Sequence, residues 1–114
     1  MKKIYSLIGF AQKAGKISSG TMAAKTSLLR KRARVLVMSN DISEKTRDSL
    51  VGTCDKQRIP WVILGNKTEL GICVGKAYRV ALTVNDENMA EVILSALAEM
   101  GEDVKNMGVD KWSK

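Results

Sequence analysis

The 114-residue sequence predicts an α/β protein with helices on both faces of a small sheet. Three observations carry the prediction. Apolar residues recur at helical spacing in Ile4, Leu7, Ile8 and Ala11, and again in Met89, Val92, Ile93, Ala96, Leu97 and Met100. Each series marks one face of a helix. Between them lie short unbroken apolar runs, Val35-Leu36-Val37-Met38 and Trp61-Val62-Ile63-Leu64, the mark of strands buried on both faces. Helical and strand-like segments alternate along the chain, which is the pattern of helices layered on a sheet.

Each element has local signals. Gly15 stops the first helix, and Lys16-Ile17-Ser18 follows as a brief extended segment. Ser18-Ser19-Gly20-Thr21 reads as a capped helix start, with Met22 to about Lys31 helical. After the Val35–Met38 strand, Asp41 and Ser43 are overlapping N-cap candidates for a helix reaching about Arg58, broken by Ile59-Pro60. Gly65-Asn66 turns the chain after the second apolar run. Asn66-x-x-Glu69 has capping-box spacing for a short helix ending near Gly75. Tyr78 to Val84 forms a third strand, and Asp86 opens the last helix. Periodicity ends at Gly101, so residues 1–100 are read as the domain and 101–114 as a C-terminal tail carrying Trp112.

Charge placement narrows the partner. Before Asp41 stand nine basic residues and no acidic one: Lys2, Lys3, Lys13, Lys16, Lys25, Arg30, Lys31, Arg32 and Arg34. From Asp41 onward ten basic residues face twelve acidic ones, within a net charge of +7. Such asymmetry points to a polyanion. The apolar stripes are core stripes rather than exposed membrane-binding faces, which favours nucleic acid over a lipid surface. No apolar run is long enough to span a bilayer, and no secretory leader pattern is present, so a cytoplasmic protein is expected.

Catalytic and metal chemistry find little support. Histidine is absent, and Cys54 and Cys73 stand far apart without a CxxC pair, so no zinc site and no cofactor is expected and both thiols are read as buried and reduced. Gly71-Ile72-Cys73-Val74-Gly75-Lys76-Ala77 has three residues between its glycines and Ala77 after the lysine. A phosphate-binding P-loop needs four, then Ser or Thr. Asp86 and Glu87 are explained by a helix N-terminus. The chain is read as not an enzyme.

Two stretches remain as candidate binding sites. Lys25 to Arg34 is half basic, with Arg30-Lys31-Arg32 consecutive. Helix-end electrostatics accounts for cations there but not for the missing acids over the first forty positions, whereas phosphate contacts account for both. Ser19-Gly20-Thr21 places a glycine at a helix entrance, where free amides can face a phosphate or a base edge, although ordinary capping also explains it.

The ordered segments Phe10-Ala11-Gln12-Lys13-Ala14-Gly15-Lys16, Ser19-Gly20, Leu36-Val37-Met38-Ser39-Asn40-Asp41, Ile59-Pro60 and Glu69-Leu70-Gly71-x-x-x-Gly75-Lys76 resemble the ribosomal kink-turn-binding family, and within it the small bacterial YlxQ-type branch. The resemblance spans residues from about 2 to 100. It implies a three-layer α/β/α sandwich with a small mixed sheet of about four strands. It also implies an RNA-binding face: Ser19, Gly20, Thr21, Met22, Ala23 and Thr26 at the entrance of the second helix, and Lys76, Ala77, Tyr78 and Arg79 in a flanking loop, with Lys16 and Lys25 nearby. Family members carry Asn or Lys, then Glu or Gln, where this chain has Met22 and Ala23, and a lysine where it has Thr26. Lys25 is rotated from that position by about 100° on a helix of 3.6 residues per turn. RNA binding is therefore expected to lean on backbone, shape and phosphate contacts. Arg30, Lys31, Arg32 and Arg34 lie at the other end of that helix, as a secondary basic patch. The reading is a monomeric RNA-binding protein, ribosome-associated, with a protein-interaction adaptor of the same fold as the alternative.

Overall fold

Strand pairing follows from the apolar runs. The computed structural model describes residues 2–100, in which β1 (Ile17–Ser19), β2 (Val35–Met38), β3 (Trp61–Ile63) and β4 (Ala81–Val84) form one sheet in the order β1-β4-β2-β3. β2 and β3 are parallel, while β4 runs antiparallel to both β1 and β2. The helices are α1 (Lys2–Lys13), α2 (Thr21–Leu29), α3 (Glu44–Gln57), α4 (Lys67–Cys73) and α5 (Glu87–Met100).

Side-chain alternation along each strand sorts the core into two halves. Val35, Val37, Val62, Leu82 and Val84 join Ile4 and Ile8 of α1, Leu70 of α4, and Ile93 and Leu97 of α5. Leu36, Met38, Trp61 and Ala81 point the other way, to Ala24 and Leu28 of α2 and Leu50 and Cys54 of α3. Every residue of β2 and β4 is buried, as strands covered on both faces must be. The architecture is the three-layer α/β/α sandwich around a mixed four-stranded sheet.

The brief extended segment near Ile17 forms as expected and is an edge strand, paired through Ile17↔Val84 and Ser19↔Leu82. Other expectations need correction. β4 begins at Ala81 rather than Tyr78, because the Arg79 N–H donates to Lys67 O at 2.9 Å and leaves the ladder. α2 ends at Leu29, short of Lys31, which takes a left-handed φ of 59°. In α5, Val92 is 52% exposed and the core positions are Ala90, Ile93, Leu94, Ala96 and Leu97. Helical spacing alone left a choice of stripe, which packing on the sheet decided. Cys54 is buried, but Cys73 is only partly so. The Trp112 tail lies outside the described residues.

Candidate nucleic-acid interface

β1 and α2 meet at Gly20. Its N–H donates to Ala81 O at 2.8 Å, so the residue still belongs to the sheet edge. Its carbonyl already accepts from the Ala24 N–H at 2.9 Å, the first bond of the helix. Turning from strand to helix in one residue takes φ 102° and ψ 155°, a region essentially reserved for glycine. Gly20 brings no capping side chain. The N–H groups of Thr21, Met22 and Ala23 therefore project from the first turn without intrahelical acceptors, at the positive end of the helix dipole. The expected hydroxyl cap is absent because Gly20 itself holds the N-cap position, one residue past the serines, which bond elsewhere. Ser18 Oγ accepts from Asn85 Nδ2 at 2.9 Å, and Ser19 Oγ from Arg79 Nε at 3.4 Å.

A second segment arrives from α4. The capping box forms as predicted: Asn66 Oδ1 accepts from the Glu69 N–H at 2.9 Å and Glu69 Oε1 from the Asn66 N–H at 3.0 Å. Of the two N-cap candidates for α3, Ser43 serves, accepting from the Thr46 N–H at 3.2 Å. Asp41 instead accepts from the Lys67 N–H at 3.0 Å and ties the end of β2 to the start of α4. Burial, and then the neighbouring Glu69 carboxylate, push the Tyr5 hydroxyl up to about 12 and the Cys73 thiol up to about 11. Both stay protonated at neutral pH, so neither supplies a nucleophile.

The glycine-rich motif serves backbone packing. A Cβ on Gly71 would stand 2.7 Å from Ala77 O and 2.8 Å from Lys76 O, so only glycine lets the following loop cross α4. Gly75 supplies the left-handed turn at φ 73°. The loop then exposes Lys76, Ala77 and Tyr78 and returns Arg79 to Gly20, where a Cβ would sit 3.8 Å from its Nε. Arg79 Nη1 also donates to Tyr78 O at 2.7 Å, which holds the guanidinium in the loop.

Fold geometry thus brings Ser19, Gly20, Thr21, Met22 and Arg79 together, with Lys76 and Tyr78 on the adjoining loop and Thr26 exposed further along α2. Of two further expected residues, one is turned aside and one stands apart. Lys25 Nζ donates to Ser49 Oγ at 2.9 Å, so its ammonium is drawn toward α3, though the residue still lines a groove with Thr21 and Met22. Lys16 lies at the opposite end of β1, where its carbonyl accepts from the Asn85 N–H at 2.8 Å. At about 3.3 Å per extended residue that is about 13 Å from Gly20. Sequence reading missed Lys67, whose Nζ lies 5.4 Å from the centre of the Tyr78 ring, a cation–π distance. The Asn66 cap was its signal, since Lys67 is the first residue of the helix that Asn66 starts. Lys45 was also missed. It lines a groove with Thr21, Met22 and Lys25, and only the packing of α2 on α3 places it there. Among the described residues no cluster suited to a metal ion is found, and no helix is long and apolar enough to cross a membrane.

A small α/β/α sandwich with an open helix entrance and a cationic loop beside it defines a class of binding domain rather than a catalytic one. The chain belongs to the ribosomal protein L7Ae/L30e/S12e/Gadd45 family, whose model matches residues 2–94. It is 27% identical to the RNA-binding protein YlxQ of Bacillus subtilis over 82% of this chain and 93% of that protein. It is 23% identical to the large ribosomal subunit protein eL8 of Picrophilus torridus, over 92% and 84%. Among solved structures, a Bacillus halodurans protein of unknown function superposes with a TM-score of 0.81 at 26% identity, covering 87% of this chain and 99% of that one. The Giardia lamblia 15.5kD RNA binding protein shares the fold with a TM-score of 0.71 at 16% identity, over 83% and 82%. The names these relatives carry are those of RNA-binding and ribosomal proteins, in agreement with a non-catalytic role.

Proposed function

We propose that this chain binds structured RNA, in association with ribosomal RNA or its assembly, by seating a kinked, kink-turn-like internal loop against the entrance of α2. The observation that carries the reading is Gly20: its φ of 102° leaves three amides at the helix start open, with Arg79 packed alongside. Backbone N–H groups on a positive dipole end suit phosphate oxygens or base edges, and Arg79 and Lys76 add charge from the loop. Where the family resemblance leads one to expect polar side chains, Met22 is 84% exposed and Ala23 has nothing to hydrogen-bond with. Recognition then rests on shape and backbone, with Met22 free to lie against a splayed base.

Fluorescence anisotropy with an RNA carrying tandem sheared G·A pairs in its internal loop, against an uninterrupted duplex of the same length, tests the proposal. The looped RNA binds more tightly. Replacing Lys76 and Arg79 together by Ala weakens it about tenfold or more, equivalent to about 1.4 kcal/mol, and lowers the salt slope by about two. Equal binding of both RNAs, or indifference to the double substitution with the melting temperature unchanged, overturns it. The exposed Met22 favours one second reading, a protein contact at the same entrance. Cellular partners that survive nuclease treatment and are lost on Met22→Asp would support that adaptor role.

A further inference from the structure

Among the described residues the non-glycine positions with positive φ are Lys31 and Arg58, both at 59°. Each occupies the left-handed position that ends a helix, Lys31 after α2 and Arg58 after α3. Glycine is the default there because a Cβ is strained. The cations are not needed to satisfy the helix ends. Backbone N–H groups do that: Lys31 donates to Leu28 O at 3.0 Å, Arg32 to Ser27 O at 2.9 Å, and Ile59 to Cys54 O at 2.9 Å.

Both ends lie at the same edge of the sheet. The Arg34 N–H donates to Val84 O at 2.8 Å, the Asn85 N–H to Lys16 O at 2.8 Å, and the Leu36 N–H to Pro60 O at 3.0 Å. These bonds line up the start of β1, the end of β4 and the starts of β2 and β3. Lys16, Arg30, Lys31, Arg32, Arg34 and Arg58 therefore gather at one pole, all exposed. None of the first five is ion-paired with a described carboxylate. Two carboxylates start α5 beside Asn85 at this same pole: Asp86 accepts from the Met89 N–H at 3.0 Å, and Glu87 is exposed in the first turn, where the helix dipole favours negative charge. Lys16, orphaned from the Gly20 site, finds its place here.

We infer that this pole is a second RNA contact, taking backbone phosphates of a stem that continues past the loop held at Gly20. The two surfaces are separated by the length of α2, nine residues, or about 13 Å at 1.5 Å per residue. Long, exposed cations suit phosphates and carry little base readout of their own. The inference rests on the RNA reading of the previous subsection.

Two looped RNAs separate the two claims: one trimmed to the loop and its closing pairs, the other extended by a stem of about 16 base pairs, the span a double-stranded-RNA domain covers. For the extended RNA, Arg30→Gln with Arg32→Gln and Arg34→Gln lowers affinity about tenfold or more in moderate salt and the salt slope by about three. The trimmed RNA is affected less than about twofold. Equal losses on both RNAs, or none on either, overturn the second contact while leaving the Gly20 site standing. Failure of the unaltered protein to bind either RNA sinks both. A further variant guards against a folding artefact. Lys31→Gly with Arg58→Gly relieves the left-handed strain and raises the melting temperature by about 4 °C or more, yet weakens the extended RNA. A fall in melting temperature would show that these cations serve the fold and would overturn the proposal.

Discussion

The two ends of α2 are built in opposite ways. At its start the helix is open: Gly20 offers no cap, the first amides lack acceptors, and Arg79 is held against the opening by its loop. At its end the helix is closed by its own backbone, through Arg30, Lys31 and Arg32 amides on Thr26, Leu28 and Ser27 carbonyls. What reaches solvent there is a set of long cationic side chains. Fixed, directional donors can distinguish one RNA geometry from another, whereas mobile charges respond mainly to phosphate density. On the proposed function, the difference assigns shape recognition to the open end and salt-sensitive affinity to the closed one. Net charge alone would have merged the two.

The harshest way to break the comparison is to dislodge the loop at the open end. Gly71→Val puts side-chain carbons where Ala77 O and Lys76 O already lie, at 2.7 and 2.8 Å from a Cβ. Backbone rather than a pliable side chain must move, so we expect a loss of about 3 kcal/mol, the upper range for overpacking. Urea denaturation measures it. Looped-RNA binding should fall with it as Arg79 leaves Gly20. A variant of full stability would mean that the loop is free to lift from α4, and that the open end is less rigid than described.

A somewhat smaller effect is expected at the closed end. Asn85 Oδ1 accepts from Ser27 Oγ at 2.7 Å and Thr83 Oγ1 at 3.0 Å, while Nδ2 donates to Ser18 Oγ at 2.9 Å. One side chain thus joins β1, α2 and β4 beneath the cationic pole. Ser27 is 2% exposed and Thr83 fully buried, so Asn85→Ala strands hydroxyls that water cannot reach and should remove about 2 kcal/mol. Adding Ser27→Ala should recover part of that, since a missing hydroxyl needs no partner. A change under about 0.5 kcal/mol, the size of an ordinary surface substitution, would mean that the network is solvated and the pole loosely held.

How much of this was legible in the sequence differs between the same two ends. The capping box at Asn66 and Glu69, the apolar strands and the helix breaks were readable because each depends on residues within a few positions. Gly20 is legible as a helix entrance, but not that it occupies the cap position itself, nor that the serines before it bond to Asn85 and Arg79, dozens of residues away. The family resemblance sets Lys16 near Gly20, but the intervening residues form a strand that carries the two to opposite ends of β1. Asp41 fitted a local cap rule and was claimed by a partner on α4. Lys31 is legible as part of a basic patch, but the left-handed backbone at Lys31 and Arg58 is not, nor is the place of Arg58 beside that patch, which only the sheet order sets.

The smallest expected effect concerns what holds the open end's loop at its root. Tyr5 of α1 lies beside Glu69, and a Cβ on Gly65 would collide with its hydroxyl. Burial, then the Glu69 carboxylate, raise the Tyr5 hydroxyl to about 12 from an ordinary value of 10.0. The folded state prefers the protonated phenol, so its contribution is fully present below pH 10.0 and is lost as pH rises through about 12. Tyr5→Phe removes the titrating group without changing the ring. The stability difference between the unaltered protein and Tyr5→Phe, followed by urea denaturation, should therefore be constant from neutral pH to about 9 and shrink above 10. Comparing the two proteins cancels the lysine titrations of the same range. A difference that persists unchanged to pH 12 would show that ring packing, not the hydroxyl beside Glu69, secures α4, and the anchoring of the Arg79 loop would then be traced to Asp41 and the Lys67 amide alone.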